Sequence, residues 1–362
     1  MYARNTPRRT APLRQRGLSI VEVMVGMVVS LLVGLAAAGA AISFSASQRQ
    51  GIGTGGSMLN ASTALAAIRD DIASAGLGFF GDRNYLCEKL NFSIGDVALK
   101  NGTDFVPLRI TPVAAGVEVD IVWGLQVAAG ANVLLKEATD GAASAQVSSL
   151  LPVSAGQAVL MAPPSPGVPC LVRTVTAVTA STSETPQMLT FGNVGKYNKV
   201  AFATMPTYQV NAYPDIARVA LLGDLHWSRY MLTGTTLQLQ RPMEGTTVDL
   251  MNNVIAFRAE YGVASTGGTS LESWTSPTGD FASLSSATLK RVRAVRVGLV
   301  TRSALPEKPD SGGTCRASSS KPKDPFDPTI DITPDVSDWQ CYRYRTSVVV
   351  VPLRNFLIGM KP

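Results

Sequence analysis

An apolar run near the amino terminus is the strongest feature of the hydrophobic pattern. Between Leu18 and Gln48 the one charged residue is Glu22, and the next charge is Arg49. A helix of about 20 such residues, rising about 1.5 Å per residue, spans the roughly 30 Å hydrocarbon core of a bilayer. The pattern therefore predicts a membrane-spanning helix over residues 18–48, with a carboxylate close to its start.

A second helical segment is predicted over residues 49–78, after a glycine-rich joint. Gly51, Gly53 and Gly56 are expected to break the helix or to act as a flexible joint, because an interior glycine costs about 1 kcal/mol relative to alanine. They also match G-x-G-x-x-G. A dinucleotide-binding loop follows a strand, however, and these glycines follow an apolar helix, so no cofactor is expected.

The second helix has a recognisable start, face and end. It is predicted to begin at Ser57 or Asn60 and to stop at Gly76. Apolar residues recur on it at helical spacing and predict one buried face. These residues are Leu65, Ile68 and Ile72.

From residue 79 onward the pattern is typical of strands, because valine and threonine are frequent and glycine and proline interrupt at short intervals. The clearest alternation predicts one buried face for a strand over residues 255–263, made by Ile255, Phe257, Ala259, Tyr261 and Val263. Further strands are predicted at 117–123, 158–162, 170–178, 188–191 and 236–241, at 291–302 with a bulge between Ala294 and Val295, and at 346–355. The expected fold class is α+β, a long amino-terminal hydrophobic helix followed by a β-rich head over residues 79–362.

Two segments of the head are not expected to be strands. Thr246 and Asp249 have the spacing of a capping box, with Asp in place of Glu, and predict a short helix. Residues 305–340 contain six prolines and are predicted to form a surface loop. The loop aspartates are not spaced as in an EF-hand, so solvated side chains are favoured over a calcium site and no metal is expected. They are Asp324, Asp327, Asp331 and Asp335.

The formal net charge of +6 is concentrated at the amino terminus. Residues 1–17 contain five arginines and no acid, so the remainder is close to neutral and lacks the basic balance of a typical DNA-binding protein. The five are Arg4, Arg8, Arg9, Arg14 and Arg16. Basic residues on this side of the apolar run place residues 1–17 in the cytoplasm and the head outside. Since an ordinary signal peptide has an apolar region of only about 7–15 residues, an uncleaved signal anchor is the simplest interpretation.

The four cysteines all follow the apolar run, on the side of the membrane where disulfides form. Four cysteines allow three connectivities. We favour Cys315–Cys341, because closing that proline-rich stretch would stabilise the fold by about 3 to 4 kcal/mol, and Cys87–Cys170 then follows. There is no Cys-x-x-Cys pair and only one histidine, so a zinc site is not expected.

Two groups of residues are candidates for nucleic-acid or catalytic chemistry. Basic residues near the carboxy terminus, with two tyrosines, could contact phosphate or stack on bases, but arginines facing solvent on a sheet are favoured. They are Lys290, Arg291, Arg293, Arg296, Tyr342, Arg343, Tyr344 and Arg345. His226 lies near Asp224 and Ser228, yet no G-x-S-x-G elbow occurs, so a structural histidine beside Trp227 is favoured and no enzyme is expected.

The junction "RGLSIVE" resembles the class III signal of type IV prepilins and pseudopilins. The resemblance implies that a membrane prepilin peptidase removes the basic leader, residues 1–17, after Gly17 and methylates the new amino terminus at Leu18. The commonest residue after the cut in this family is Phe. Glu22 then becomes the fifth residue of the mature chain and is expected to set the axial register of an incoming subunit.

Glu22 also has a physical account of its own. A carboxylate inside a bilayer costs roughly 2.5 to 3.5 kcal/mol, so such a residue normally has a partner. Cleavage would create a positively charged amino terminus at Leu18, four residues before Glu22. A neighbouring helix would bring the amino terminus of its own chain. The partner is therefore either the amine of the same chain or that of its neighbour.

Four further segments indicate which family of prepilins the chain resembles. "AAIRDDIASAGLGFFGD", "LMNNVIAFRAEYGV", "LKRVRAVRVGLVTRS" and "VVVVPLRN" are similar to the pattern of PilW-type minor pilins. This implies a minor pilin that helps initiate type IV pilus assembly, sits at the pilus tip and serves adhesion and twitching motility. Expected partners are other minor pilins, the major pilin, the prepilin peptidase and a tip adhesin. The expected location is the inner membrane before assembly and the cell surface afterwards.

Two alternatives remain open at this point. A type II secretion pseudopilin of the J type would carry the same leader and a comparable head. A DNA-uptake or adhesive tip pilin would use the basic residues near the carboxy terminus.

Overall fold

The computed structural model describes residues 19–81, 84–85, 87–125, 128, 131–165, 167–180, 186–203, 207–208, 217–310 and 312–359. The leader, with Gly17, and Leu18 lie outside these residues. The processing expected at Gly17 and Leu18 therefore stays a prediction.

The first helix, α1, runs over Ile20–Ser74. Helical backbone continues through Gly51, Gly53 and Gly56, so the expected break in the helix is wrong. Contacts divide the chain into two compact units, Met1–Thr54 and Gly55–Pro362. Since the glycines flank this division, their role as a flexible joint stays a prediction.

Within the first unit, Ile20–Ala41 is long and apolar enough to cross a membrane, judged by length and composition. Its 22 residues would extend about 33 Å as a helix. None of these residues is buried, and large apolar side chains are exposed around the whole circumference. The segment is an anchor-like apolar helix, as predicted.

Within the second unit, the end of α1 packs by the face that the pattern predicts. Leu65, Ile68 and Ile72 are all buried. The helix ends just before Gly76, whose φ of +75° favours glycine, and the Gly76 N–H donates to the carbonyl of Val122. Both the buried face and the stop are confirmed.

The head is built mainly of strands and two further short helices, α2 (Ser286–Leu289) and α3 (Arg354–Gly359). The strands described are β1 Phe80–Gly81, β2 Asn84–Tyr85, β3 Lys89–Ile94, β4 Val97–Asp104, β5 Leu108–Val113, β6 Gly116–Leu125, β7 Asn132–Leu134, β8 Ser144–Val147, β9 Ala158–Ala162, β10 Cys170–Thr174, β11 Ala177–Thr179, β12 Gln187–Thr190, β13 Arg218–Thr233, β14 Thr236–Arg241, β15 Thr246–Met251, β16 Val254–Val263, β17 Ser273–Thr275, β18 Val292–Arg302 and β19 Tyr344–Pro352.

Most strands belong to one large sheet. Its main path is β19-β18-β16-β6-β13-β9-β10-β3-β4, with β5 paired to β6, β7 and β14 paired to β13, β15 to β14 and β17 to β16. The pairs β10–β3 and β16–β6 are parallel, and the other pairs along this path are antiparallel. Strands β11, β12 and β8 form a smaller sheet. A β-rich head following an apolar helix confirms the α+β class.

Most predicted strands are present, with two corrections. Residues 170–178 divide into β10 and β11. The capping-box spacing of Thr246 and Asp249 does not begin a helix, because Thr246–Met251 is β15 and pairs with β14. Strand β18 does contain a bulge, but it lies at Arg293 rather than between Ala294 and Val295. Arg293 has no partner on β16 between the pairs Val263–Val292 and Gly262–Ala294.

Two main hydrophobic cores lie on opposite faces of β9. Ala158, Leu160 and Ala162 belong to the core that also receives Ile68 and Ile72 of α1. The alternate β9 residues, Val159 and Met161, belong to a second core beneath the smaller sheet. Burial on both faces explains why the sequence of β9 is a continuous apolar run.

The proline-rich loop, residues 305–340, packs on the outer face of β16 and β18. A Cβ at Gly298 would lie 2.6 Å from Cβ of Pro325, so glycine is needed for this close approach. Ile332 of the loop is buried against Ala256 and Val300. The loop contains Cys315 and leads to Cys341, and the structure forms both expected disulfides, Cys315–Cys341 and Cys87–Cys170.

Candidate functional site: the start of the apolar helix

Glu22 forms part of a helix cap at the start of α1. Its Oε2 accepts a hydrogen bond from the backbone N–H of Ser19 at 3.1 Å, and Oγ of Ser19 accepts one from the N–H of Val21 at 3.3 Å. This is a capping box, which satisfies N–H groups that the first turn leaves without intrahelical partners. The S-x-x-E signal was present in the sequence and was missed.

The cap does not use the full bonding capacity of the carboxylate. A carboxylate offers about four acceptor positions, and the Ser19 N–H occupies one. Among the residues that the structure describes, no lysine or arginine forms an ion pair with Glu22. The exposed Glu22 side chain is thus able to accept a bond from a further cation.

Small residues recur on one face of the apolar helix. Gly26, Ser30 and Gly34 are four residues apart, and a Cβ built on either glycine meets no atom within 4 Å. Ser30 donates to the carbonyl of Met27 at 2.9 Å, which satisfies its hydroxyl inside the helix. Small residues at this spacing allow another helix to approach closely. This signal too was missed.

The end of α1 is held to the head by polar contacts. The Tyr230 hydroxyl donates to Oδ2 of Asp71 at 2.6 Å, and Asn355 donates to the carbonyls of Ser74 and Ala75 at 3.1 Å. Burial raises the pKa of Asp71, while the hydrogen bonds from Tyr230 and Ser228 oppose that rise. This contact was not predicted from the sequence.

His226 does not form a hydrolase triad. Its ring stacks on Trp123 of the paired strand β6, with ring centroids 5.4 Å apart. In the described part of the chain its buried Nε2 has no hydrogen-bond partner. A triad requires the histidine to bond the nucleophile, whereas Ser228 bonds the Asp71 carboxyl.

The arginines of β18 do not face solvent as expected. Arg293 is buried and donates to the carbonyls of Gly268, Thr269 and Lys290. Arg296 donates to Glu260 at 2.8 Å, and its guanidinium carbon lies 4.3 Å from the ring centroid of Phe326.

Three of the remaining basic candidates, Arg291, Arg343 and Arg345, also have internal contacts. Arg291 donates to the carbonyl of Ala264 at 3.1 Å, and Arg343 pairs with Glu307. Arg345 contacts the sulfur of Met58, 2.7 Å away. Phosphate contact or base stacking would have to compete with these bonds.

Three of the four loop aspartates are bound to cations of the protein rather than simply solvated. Asp324 accepts from Arg258 at 3.0 Å, Asp335 from Arg302 at 3.1 Å, and Asp331 from Lys323 at 2.6 Å. Asp327 accepts bonds from Thr329 inside its own turn, and these bonds lower its pKa. No group of three or more potential metal ligands comes together among the residues described.

Residues 227–355 match the family described as type IV pilus-assembly protein W, PilW. No curated protein matches the chain.

Among solved structures, the chain is similar to a type IV-like pilin from Thermus thermophilus, at 9% identity over 82% of this chain and 96% of that one, with a TM-score of 0.33. The family match covers the strands from β13 to β19, and the chain begins with an anchor-like apolar helix. Residues 227–355 of this chain are therefore similar to the PilW family of type IV pilus-assembly proteins.

Proposed function

We propose that the chain is a minor pilin that helps initiate type IV pilus assembly and takes a place at the pilus tip. The observation that carries this proposal is the exposed apolar helix Ile20–Ala41, with a capped carboxylate in its first turn. A helix that is apolar all round requires lipid or other helices around it. Lipid would surround it in the inner membrane, and partner helices would surround it in a filament.

Glu22 is proposed to fix the register between subunits. Its carboxylate is bound by one backbone N–H and has acceptor capacity left. In an apolar surrounding, an uncompensated carboxylate is strongly unfavourable, so the stagger that brings an amino terminus to it is preferred. Cleavage after Gly17 would supply that amine at Leu18.

The proposed partners and location follow from this role. The prepilin peptidase would process the chain at the inner membrane, with the head on the periplasmic side. Other minor pilins and the major pilin would then pack against the apolar helix. A tip adhesin is a further candidate partner, and the pilus tip at the cell surface is the final location.

Determining the mature amino terminus tests the processing step. Mass spectrometry of the chain purified from membranes is expected to show a terminus at Leu18, with or without an added methyl group. An intact Met1, or a cut well beyond the apolar run, would contradict the proposal.

A Glu22→Gln variant tests the register. Glutamine also serves at this position of a capping box, so the helix start should persist while the charge is lost. We expect normal insertion and cleavage but loss of co-purification with other pilins.

The matched control is Ser19→Ala, which weakens the cap by about 0.5 to 2 kcal/mol and keeps the charge. It is expected to co-assemble. Normal piliation with Glu22→Gln would remove the register role.

The two alternative functions receive less support. The matched family is a pilus-assembly family, which favours a pilus over a type II secretion machine. Two of the arginines that a DNA-uptake pilin would use, Arg293 and Arg296, are bonded to carbonyls or to Glu260 inside the head.

A further inference from the structure

A cleft of about 350 Å³ opens on the face of β5, β6 and β13 that points away from the main core. Its floor includes Arg109, Asp120 and Arg229, which are consecutive partners across the three strands. Lys100 of β4 and the indole of Trp227 also line it. The volume is within the roughly 300–1,000 Å³ range of small-ligand sites.

One cation of the cleft is fully compensated. Arg229 lies 2.7 Å from Oε1 of Glu118 and 2.9 Å from Oδ1 of Asp120. The indole N–H of Trp227 donates to the same Asp120 oxygen at 2.8 Å. Both carboxylates are therefore directed toward Arg229, and the indole is held by its edge.

The other two cations, Lys100 and Arg109, have no such partner among the residues that the structure describes. Over the described ranges, neither lies within 4.0 Å of a carboxylate oxygen. Asp104 also lines the cleft, but it is exposed. Lys100 is partly buried, and its ammonium lies 6.0 Å from the ring centroid of Trp227.

The electrostatics of Lys100 agree with a local excess of positive charge. Burial lowers its pKa, and the next largest cause is repulsion by Arg109, which exceeds the attraction of Asp120 or Asp104. A partly buried cation that is destabilised in this way gains from an added anion.

We propose that this cleft binds a small ligand through an oxyanion group that bridges the ammonium of Lys100 and the guanidinium of Arg109. The guanidinium fork matches the two oxygens of a carboxylate or phosphate, and the ammonium adds a compact point charge. The hydroxyl of Thr111, which also lines the cleft, is a further donor to the ligand. The site does not depend on the proposed place of the chain in a pilus.

Isothermal titration calorimetry on the full chain in detergent micelles tests this site. One arm titrates inorganic phosphate and the other glucuronate, with glucose as the neutral comparison. We expect one-to-one binding in at least one charged arm and none with glucose. The arm that binds more tightly shows whether the oxyanion is a phosphate or a carboxylate.

Lys100→Gln and Arg109→Gln should each weaken this binding by about tenfold or more, roughly 1.4 kcal/mol. Because neither side chain has an ion-pair partner in the described ranges, these variants should retain the far-ultraviolet circular dichroism of the wild type. Lys308→Gln, at an exposed position of the proline-rich loop, is the matched control and should bind as the wild type does. Absence of binding in both charged arms, or equal binding by all three variants, would overturn the proposal.

Discussion

The hydroxyl of Tyr230 donates a 2.6 Å hydrogen bond to the carboxyl of Asp71, which ties the end of α1 to β13 across 159 residues of sequence. Asp71 is partly buried at this contact, and burial raises its pKa above 3.8. The protonation of one carboxyl is therefore coupled to the packing of a helix against the sheet.

Asp71→Asn should change the pH dependence of stability. Since the folded-state pKa of Asp71 lies above its unfolded value, the folded protein holds this proton more tightly. The stability that the group contributes is present below about pH 4 and is lost as the pH rises through the folded pKa. Relative to wild type, the variant should become progressively more stable between pH 4 and pH 7, measured by urea unfolding.

Asp70→Asn is the matched control for that measurement. Asp70 is exposed and pairs with its exposed neighbour Arg69. This variant removes a neighbouring carboxyl and leaves the contact between Asp71 and Tyr230 in place. If Asp71→Asn behaves like Asp70→Asn, the proposed coupling at Tyr230 is wrong.

The two disulfides should differ in what their removal exposes. The chain-entropy model relates the stabilisation by a disulfide to the length of the loop that it closes. It gives about 3.5 kcal/mol for Cys315–Cys341, with a separation of 26 residues, and about 4.5 kcal/mol for Cys87–Cys170, with a separation of 83. Serine replacement of each pair should lower the free energy of urea unfolding by those amounts. Only loss of Cys315–Cys341 should make the proline-rich loop the first site of limited proteolysis.

Gly298→Ala should displace the proline-rich loop. The new Cβ would lie 2.6 Å and 2.7 Å from Cβ and Cγ of Pro325, which is too close for any side chain. We expect a loss of about 1 to 3 kcal/mol in unfolding free energy and faster proteolysis of the loop. Gly167→Ala, where a Cβ meets nothing within 4 Å, should change neither measurement.

Arg293→Ala should destabilise the head rather than remove a binding surface. It would leave the carbonyls of Gly268 and Lys290 without their donor, at about 1 to 3 kcal/mol for a buried unsatisfied group. Arg316→Ala, which removes an exposed pair with Asp310, should cost less than about 1 kcal/mol. Equal unfolding midpoints for the two variants would show that Arg293 is not structural.

Elements in which apolar residues recur at a regular spacing could be predicted from the sequence. The alternation in residues 255–263 predicted β16, and Phe257, Ala259, Tyr261 and Val263 do lie in the main core. Ile255 does not, because an irregularity between Val254 and Ala256 moves it to the other face. A two-residue signal was weaker, since Thr246 and Asp249 suggest a cap while the same segment pairs with β14.

Long-range polar partners could not be predicted in this way. Arg258 and Asp324 are 66 residues apart, and Arg302 and Asp335 are 33 apart. Nothing in the composition of the loop indicates which cation each carboxylate meets, because the choice depends on how the loop lies on the sheet. The cap of Ser19 and Glu22 was different, since both residues lie within one turn and could have been recognised.

The proline-rich loop is fixed along one side and free along the other. Asp324, Ile332 and Asp335 hold it to the sheet, while Lys308, Gly312 and Lys321 are exposed and contribute little to that attachment. We therefore expect substitutions at these exposed positions to leave the fold of the head unchanged. A head built in this way could vary the surface that it presents to its environment while its scaffold stays the same.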